Sequence, residues 1–285
     1  MSCKIYVVYH EPMAYRKSEV FAPICVGRRK DEFPQGFLRD DEGDNIADKN
    51  DVYNELTALY RVWKDENLHA DYMGLAHYRR YLGLGLNESH YLYRTPEKAF
   101  RRIRKTEKNW LALSGADLVA PNPAHYKSVK DYYALAHGQD DVKTLLSVFK
   151  KDFPDYYDCA EKYFSGSDDY LCNLVVMKKD IFMRYASFLF AVLNKFVEKR
   201  EKEGRLFVSE RITGVFIQKM IDEGKDVRFA PVVTIEPREE LGAAILKVRN
   251  SEEKGKQKWK PLVHAMIPTA MWRRYYRKVY EVRKK

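Results

Sequence analysis

Hydrophobic and polar positions change period along the chain, and each change marks an element. Lys4-Ile5-Tyr6-Val7-Val8-Tyr9 is a short β-rich run, and Ala22 to Gly27 is a second. Gly36 to Asn50 is acidic and polar and reads as a loop, with Asn50 placed to cap a helix. Val52, Leu56, Leu59 and Trp63 follow at spacings of 4, 3 and 4, the buried stripe of one amphipathic helix. Asp71 to Ala76 predicts a buried strand that runs into His77-Tyr78-Arg79-Arg80-Tyr81. Residues 95–109 predict a basic helix, and Ala116 to Ala120 a core strand stopped by Pro121 and Pro123.

The second half is more helical. Asp140 to Lys151 and Pro154 to Phe164 predict two helices separated at Pro154, and Leu171 to Met177 a strand. Ile181 to Glu203 reads as one long helix ended by Gly204. Ser209 is placed to cap a further helix through Met220, and Val227 to Ile235 reads as a last strand. Strands alternating with helices predict an α/β sheet with both faces covered. No linker or internal repeat interrupts it, so residues 1–250 read as a single Rossmann-like α/β domain and residues 251–285 as a separate basic tail.

Composition narrows the class. With 45% hydrophobic and 32% charged residues among 285, the chain can bury a core and is neither disordered nor collagen-like. No apolar stretch is long enough to span a bilayer, and the first residues lack the pattern of a secretory signal. Cys3, Cys25, Cys159 and Cys172 have no metal or redox spacing, so reduced thiols in the cytoplasm are expected.

The net charge is +10, and its position matters more than its size. Residues 254–285 carry eleven of the 51 Lys and Arg but only one acid, Glu281, so the rest of the chain is balanced. Nucleic-acid binding would spread such charge over a folded face, whereas a terminal concentration suggests docking. After Pro268, helical spacing puts Trp272, Tyr275 and Tyr276 on one face and Arg273, Arg274 and Arg277 on the other. That pattern suits a helix lying in an anionic membrane interface, with the protein peripheral on the inner face of the plasma membrane. A terminal helix packed on its own domain is the alternative.

Candidate chemistry concentrates in three places. Arg79 and Arg80 follow a strand end, where open α/β sheets bind ligands, and two guanidiniums there suit a diphosphate. On a straight strand adjacent side chains diverge, so both can face one site only if the chain bends. The loop Gly43 to Asn50 leads into a helix whose Glu55 borders the buried stripe, a position for an arginine partner or a ribose hydroxyl. Glu210 sits at a predicted helix start, where its bland role is to complement the dipole with Arg211 as partner. Glycine-rich phosphate loops, Gly-x-Ser-x-Gly, His-Glu-x-x-His and dinucleotide fingerprints are absent, and the seven histidines lack zinc spacing.

Asp44-Asn45-Ile46-Ala47-Asp48-Lys49-Asn50, Glu55-Leu56-Thr57-Ala58-Leu59-Tyr60 with Trp63-Lys64, and Gly74 to Tyr81 together resemble the bacterial DUF4422 family. Tyr170-x-x-Asn173 and Phe207-Val208-Ser209-Glu210-Arg211 extend the resemblance from Ile5 to about Phe216. The family is regarded as glycosyltransferases of capsular and exopolysaccharide clusters, GT-A-like, with a nucleotide-sugar donor. The resemblance therefore implies a UDP-sugar donor and a lipid-linked glycan acceptor, with galactosyl and galactofuranosyl transfer among the activities to consider.

GT-A enzymes commonly carry Asp-x-Asp for a divalent metal, and here that place in the order of elements is taken by His77-Tyr78-Arg79-Arg80. Cations would neutralise the leaving diphosphate directly, so no metal is expected; His77 with Asp44 or Asp71 is the alternative metal set. Convergence of the first two strand ends on the following helix start, strengthened by the resemblance, predicts a donor pocket of Tyr9, His10, Gly27, Asp44, Asn45, Lys49, Asn50, Glu55, His77, Arg79, Arg80 and Asn173. An inverting enzyme would need a base, for which Glu210 is the first candidate and Asp169 the second. A non-catalytic nucleotide- or RNA-binding module using the basic tail is the competing reading.

Overall fold

A computed structural model of the chain describes residues 1–200 and 206–236, together with Ala270, Met271 and Arg274. The first strands are β1 (Cys3–Tyr9), β2 (Phe21–Cys25) and the two-residue β3 (Leu38–Arg39), followed by helices α1 (Asn50–Tyr53) and α2 (Leu56–Lys64). Next come β4 (Tyr72–His77), β5 (Arg80–Leu82) and β6 (His90–Tyr93), then α3 (Pro96–Arg104) and α4 (Glu107–Leu111). Strands β7 (Leu118–Pro121) and β8 (Ala124–His125) precede α5 (Val129–His137), α6 (Asp140–Asp152) and α7 (Tyr157–Ser165). The described chain closes with β9 (Asp168–Asp169), β10 (Val175–Lys178), α8 (Lys179–Lys199), α9 (Ser209–Asp222), β11 (Val227–Ala230) and β12 (Val232–Ile235).

Ten strands form one mixed sheet with the path β11-β7-β10-β4-β1-β2-β3, while β12 joins β5 to β6 at its side. Strands β2, β1 and β4 are parallel, so Cys25, Tyr9 and His77 end at one edge. Alternation along β1 sends Tyr6 and Val8 into the core beneath α2, α8 and α9. It sends Ile5, Val7 and Tyr9 into the opposite core, under α3 and α4. Both faces are covered, as the near-continuous apolar runs of the central strands require. No helix among the described residues is long and apolar enough to cross a membrane.

Several expected elements are divided in two, each for a local reason. The helix starting at Asn50 breaks at Asn54, whose φ of 51° lies in the left-handed region. Asn50 does not cap it; its amide donates to the Asn54 carbonyl at 2.8 Å and to the Thr57 hydroxyl at 3.0 Å. The basic stretch becomes α3 and α4, and the last strand is cut at Pro231, with β11 paired to β7 and β12 to β5 and β6. The strand expected from Leu171 begins only at Val175, because Cys172 and Asn173 both take positive φ. Ser209 starts α9 without capping it, since its hydroxyl accepts from Asn173 instead. Helix α8 ends at Lys199, four residues before the expected Glu203. Helix α5 was not foreseen; Ser128 caps it by accepting from the Asp131 N–H at 3.0 Å. The expected boundary at residue 250 lies outside the described residues. So do Trp272, Arg273, Tyr275, Tyr276 and Arg277, whereas Arg274 is exposed and helical.

Candidate active site

A cleft of about 660 Å³ opens where β1, β2 and β4 end. His10, Gly27, Asn50, Glu55, His77, Arg79, Arg80 and Glu210 line it, from strand ends on one side and from α1, α2 and α9 on the other. The bend that lets two adjacent arginines share the site is a tight hairpin. His77 pairs with Arg80 across β4 and β5, leaving Tyr78 and Arg79 as the turn. The Arg79 guanidinium lies 5.1 Å from the centre of the Tyr78 ring. Its Nε is buried with no hydrogen-bond partner among the described residues, a donor suited to an anionic ligand.

His77 sits beneath this hairpin. Burial, followed by the charges of Arg80 and Arg79, holds its imidazole well below the ordinary histidine value. The ring is neutral at physiological pH, and the Arg79 N–H pointing at Nδ1 (3.4 Å) puts its proton on Nε2. His10 packs beside it, with ring centres 5.9 Å apart. Gly27 closes the floor. Its φ is +82°, and a Cβ there would stand 3.2 Å from Asn50 Oδ1, so glycine is needed for both conformation and space.

Two carboxylates face the arginines. Glu55 begins α2 just after the left-handed Asn54 and accepts from Asn173 Nδ2 at 2.9 Å. Asn173 is oriented in turn, donating also to Ser209 Oγ at 3.1 Å and accepting from the Thr213 hydroxyl at 2.7 Å. Burial is the main reason the Glu55 carboxyl is pushed up; Asn173 pulls it back and Glu210 adds to the rise. Glu210 lies in the first turn of α9, and Arg211 Nη1 donates to it at 3.0 Å. Arg211 is itself buried and pairs with Asp169 Oδ2 at 3.2 Å, while the Tyr163 hydroxyl donates to Asp169 Oδ1 at 2.6 Å. Burial pushes the Asp169 carboxyl up, and Arg211 and Tyr163 draw it part of the way back. Gly214 makes this chain possible: a Cβ there would meet the Tyr163 ring at 2.2 Å.

Five expected pocket residues lie elsewhere. Tyr9 is fully buried on the opposite face of β1 from Val8 and His10, its hydroxyl 3.1 Å from that of Tyr81. Asp44 accepts from Tyr60 on an exposed surface, and Asn45 ties its own loop through Gly43, Asp41 and Ala47. Lys49 is exposed outside the lining, and Asn173 is one layer below it, buried under Glu55. Asp169, the second base candidate, is 0% exposed and does not line the cleft; Arg211 lies between it and Glu210 and pairs with both. Arg28, Arg29, Cys172 and Phe207, none of them among the expected donor-pocket residues, also line the cleft. The adjacent cations Arg28-Arg29 directly after Gly27 were a readable signal. Nothing in the local pattern marked Cys172.

The alternative metal set of His77 with Asp44 or Asp71 does not come together. Among the described residues no three His, Cys, Asp or Glu side chains gather to hold an ion. Asp71 is at the opposite end of β4 from His77, its carboxylate taken by the Ser2 N–H at 2.6 Å, and Asp44 lies outside the cleft.

Fold and cleft together define a mixed α/β protein with a polar site at the carboxyl edge of its parallel strands. The chain belongs to the family described as Domain of unknown function (DUF4422), whose model matches residues 4–222. Its structure is similar to the apo structure of the WbbM bifunctional glycosyltransferase, with a TM-score of 0.70 and 27% sequence identity over 83% of this chain. The match spans 46% of that protein, so this chain corresponds to less than half of its length. No protein in the curated set matches the chain.

Proposed function

We propose that the protein is a glycosyltransferase that moves a sugar from a UDP-sugar to a lipid-linked glycan in surface-polysaccharide assembly. The observation that carries this reading is the pairing, in one cleft, of the Arg79-Arg80 hairpin with the Glu55 and Glu210 carboxylates. Similarity to a bifunctional glycosyltransferase supports the reaction class. Galactosyl and galactofuranosyl groups are the donor sugars to test first.

In this reading Arg79 and Arg80 bind the donor diphosphate and stabilise the negative charge that grows as the sugar leaves. Neutral His77 adds a hydrogen-bond donor without competing charge. Glu55 meets the ribose or a sugar hydroxyl. For an inverting reaction Glu210 takes the proton of the acceptor hydroxyl, held in place by Arg211, Asp169 and Tyr163. The basic segment 254–285 brings the enzyme to the anionic cytoplasmic face of the membrane.

Hydrolysis of a panel of UDP-sugars, in chelator and then with manganese, tests the reading. One donor should be cleaved faster than the rest with chelator present. A chain that binds no UDP-sugar and cleaves none would remove the proposal in favour of a non-catalytic binding module.

A further inference from the structure

The basic helix singled out in the sequence has no task in the cleft. Lys98, Arg101, Arg104, Lys105 and Lys108 are all exposed along α3 and α4, while Ala99, Ile103 and Trp110 turn inward. None of these five cations pairs with a carboxylate among the described residues. The nearby acid Glu107 is taken by Arg16 at 2.6 Å. On α3, Arg101 has like charges three residues away at Lys98 and Arg104, and four away at Lys105. Glu97 stands four residues before Arg101 and the helix dipole favours bases in the last turn, so the helix carries these cations without spreading them, and its exposed face is left strongly positive.

The face also has a telling place. The Ile235 N–H donates to the Arg79 carbonyl at 2.8 Å, and the Glu236 N–H to the Tyr93 carbonyl at 2.9 Å. The arginine hairpin, the end of β12 and the lead into α3 therefore meet at one edge of the sheet. Arg94 fixes the chain there by donating to the Glu236 carbonyl at 3.1 Å. The segment that contains the basic residues 254–285 continues from this point.

We infer that the exposed face of α3 and α4 is a second membrane-contact surface, which lies flat on anionic lipid headgroups and sets the cleft edge toward the bilayer. The cations stand on a convex helical face whose apolar side chains are directed inward, a shape that meets a planar charged surface. Single-stranded RNA would call for aromatic stacking platforms, and the rings carried by these two helices are turned into the core, with Trp110 buried and Phe100 edge-on against Tyr81. The inference rests on the charge and placement of this face and is independent of the reaction catalysed in the cleft.

The test compares the full chain with the variant Lys98→Glu, Arg101→Glu, Arg104→Glu, Lys105→Glu. Co-sedimentation is measured with vesicles of phosphatidylglycerol and phosphatidylcholine, with phosphatidylcholine alone, and with polyuridine as competitor. The full chain should bind only the anionic vesicles, with affinity falling as salt rises. The variant should keep its melting temperature and UDP-sugar hydrolysis while its vesicle affinity falls on the order of a hundredfold. If the variant fails to fold, Arg101→Gln with Arg104→Gln should still weaken binding about tenfold. Unchanged vesicle binding by a folded variant would overturn the inference, as would polyuridine binding that the same substitutions abolish. A chain that binds vesicles as described but cleaves no UDP-sugar would refute the proposed reaction and leave this surface standing.

Discussion

Glu55 and Glu210 line the same cleft but are supported differently. A neutral amide, Asn173, holds Glu55, and its own orientation is fixed by Ser209 and Thr213. A buried cation, Arg211, holds Glu210, with Asp169 and Tyr163 behind it. An amide partner cannot offset the cost of burying charge as a guanidinium can, and burial accordingly pushes the Glu55 carboxyl up. In the proposed reaction the contrast suits Glu55 to hydrogen bonding with hydroxyls and Glu210, oriented by Arg211, to contact with the acceptor. In enzymes, carboxylates placed in unlike environments commonly divide the work in this way.

The largest effect should come from breaking the ion-paired side. Glu210→Gln should lower transfer to an acceptor about 10²- to 10⁴-fold, the range for a lost general base, with UDP affinity little changed. Steady-state transfer rates and calorimetric UDP titration check this together, and wild-type turnover would take the base role from Glu210. Next, Asp169→Asn removes one of the two carboxylates paired with the buried Arg211 and leaves Glu210 as the other. It should cost about 1–3 kcal/mol of stability in denaturant unfolding, the range for a lost hydrogen bond to a charged group, and reduce transfer as well. Stability loss with full turnover in the folded fraction would mean that the chain behind Glu210 serves the core alone.

A smaller effect is expected on the amide-supported side, and its sign follows from linkage. Glu55 has a higher pKa folded than unfolded, so the folded state holds a proton that the unfolded chain has already lost. Its contribution to stability therefore falls as pH rises from the unfolded value through the folded one. Glu55→Gln should remove that fall, raising the melting temperature at neutral pH relative to wild type and making the two converge in acid. A variant that is less stable at neutral pH than at acid pH, relative to wild type, would show that Glu55 is held by a partner stronger than Asn173.

Much of the scaffold was legible because strands β1, β4 and β7 are short apolar runs with clear stops. The parallel edge could be placed from the order of elements, and with it His10, Gly27, His77, Arg79 and Arg80. Tyr9 was misplaced although the alternation was readable, since a residue next to His10 on a strand must face the other way. Asn173 and Asp169 were harder to place. Their burial beneath Glu55 and Glu210 depends on the left-handed Cys172-Asn173 turn and on Tyr163 packing over Gly214, contacts between segments far apart in sequence. Asn50 and Ser209 have the chemistry of helix caps, but in the fold their side chains serve the Thr57 and Asn173 networks instead.

The central claim is that Arg79 and Arg80 hold the diphosphate of a nucleotide-sugar. Calorimetric titration of the full chain with UDP and with uridine, in chelator, tests it most directly when repeated on the Arg79→Ala, Arg80→Ala double variant. The wild type should prefer UDP to uridine, and the folded variant should lose about 2–4 kcal/mol of that preference while its uridine affinity stays the same. Equal affinity of the wild type for UDP and uridine, or a variant that keeps the full preference, would contradict the account.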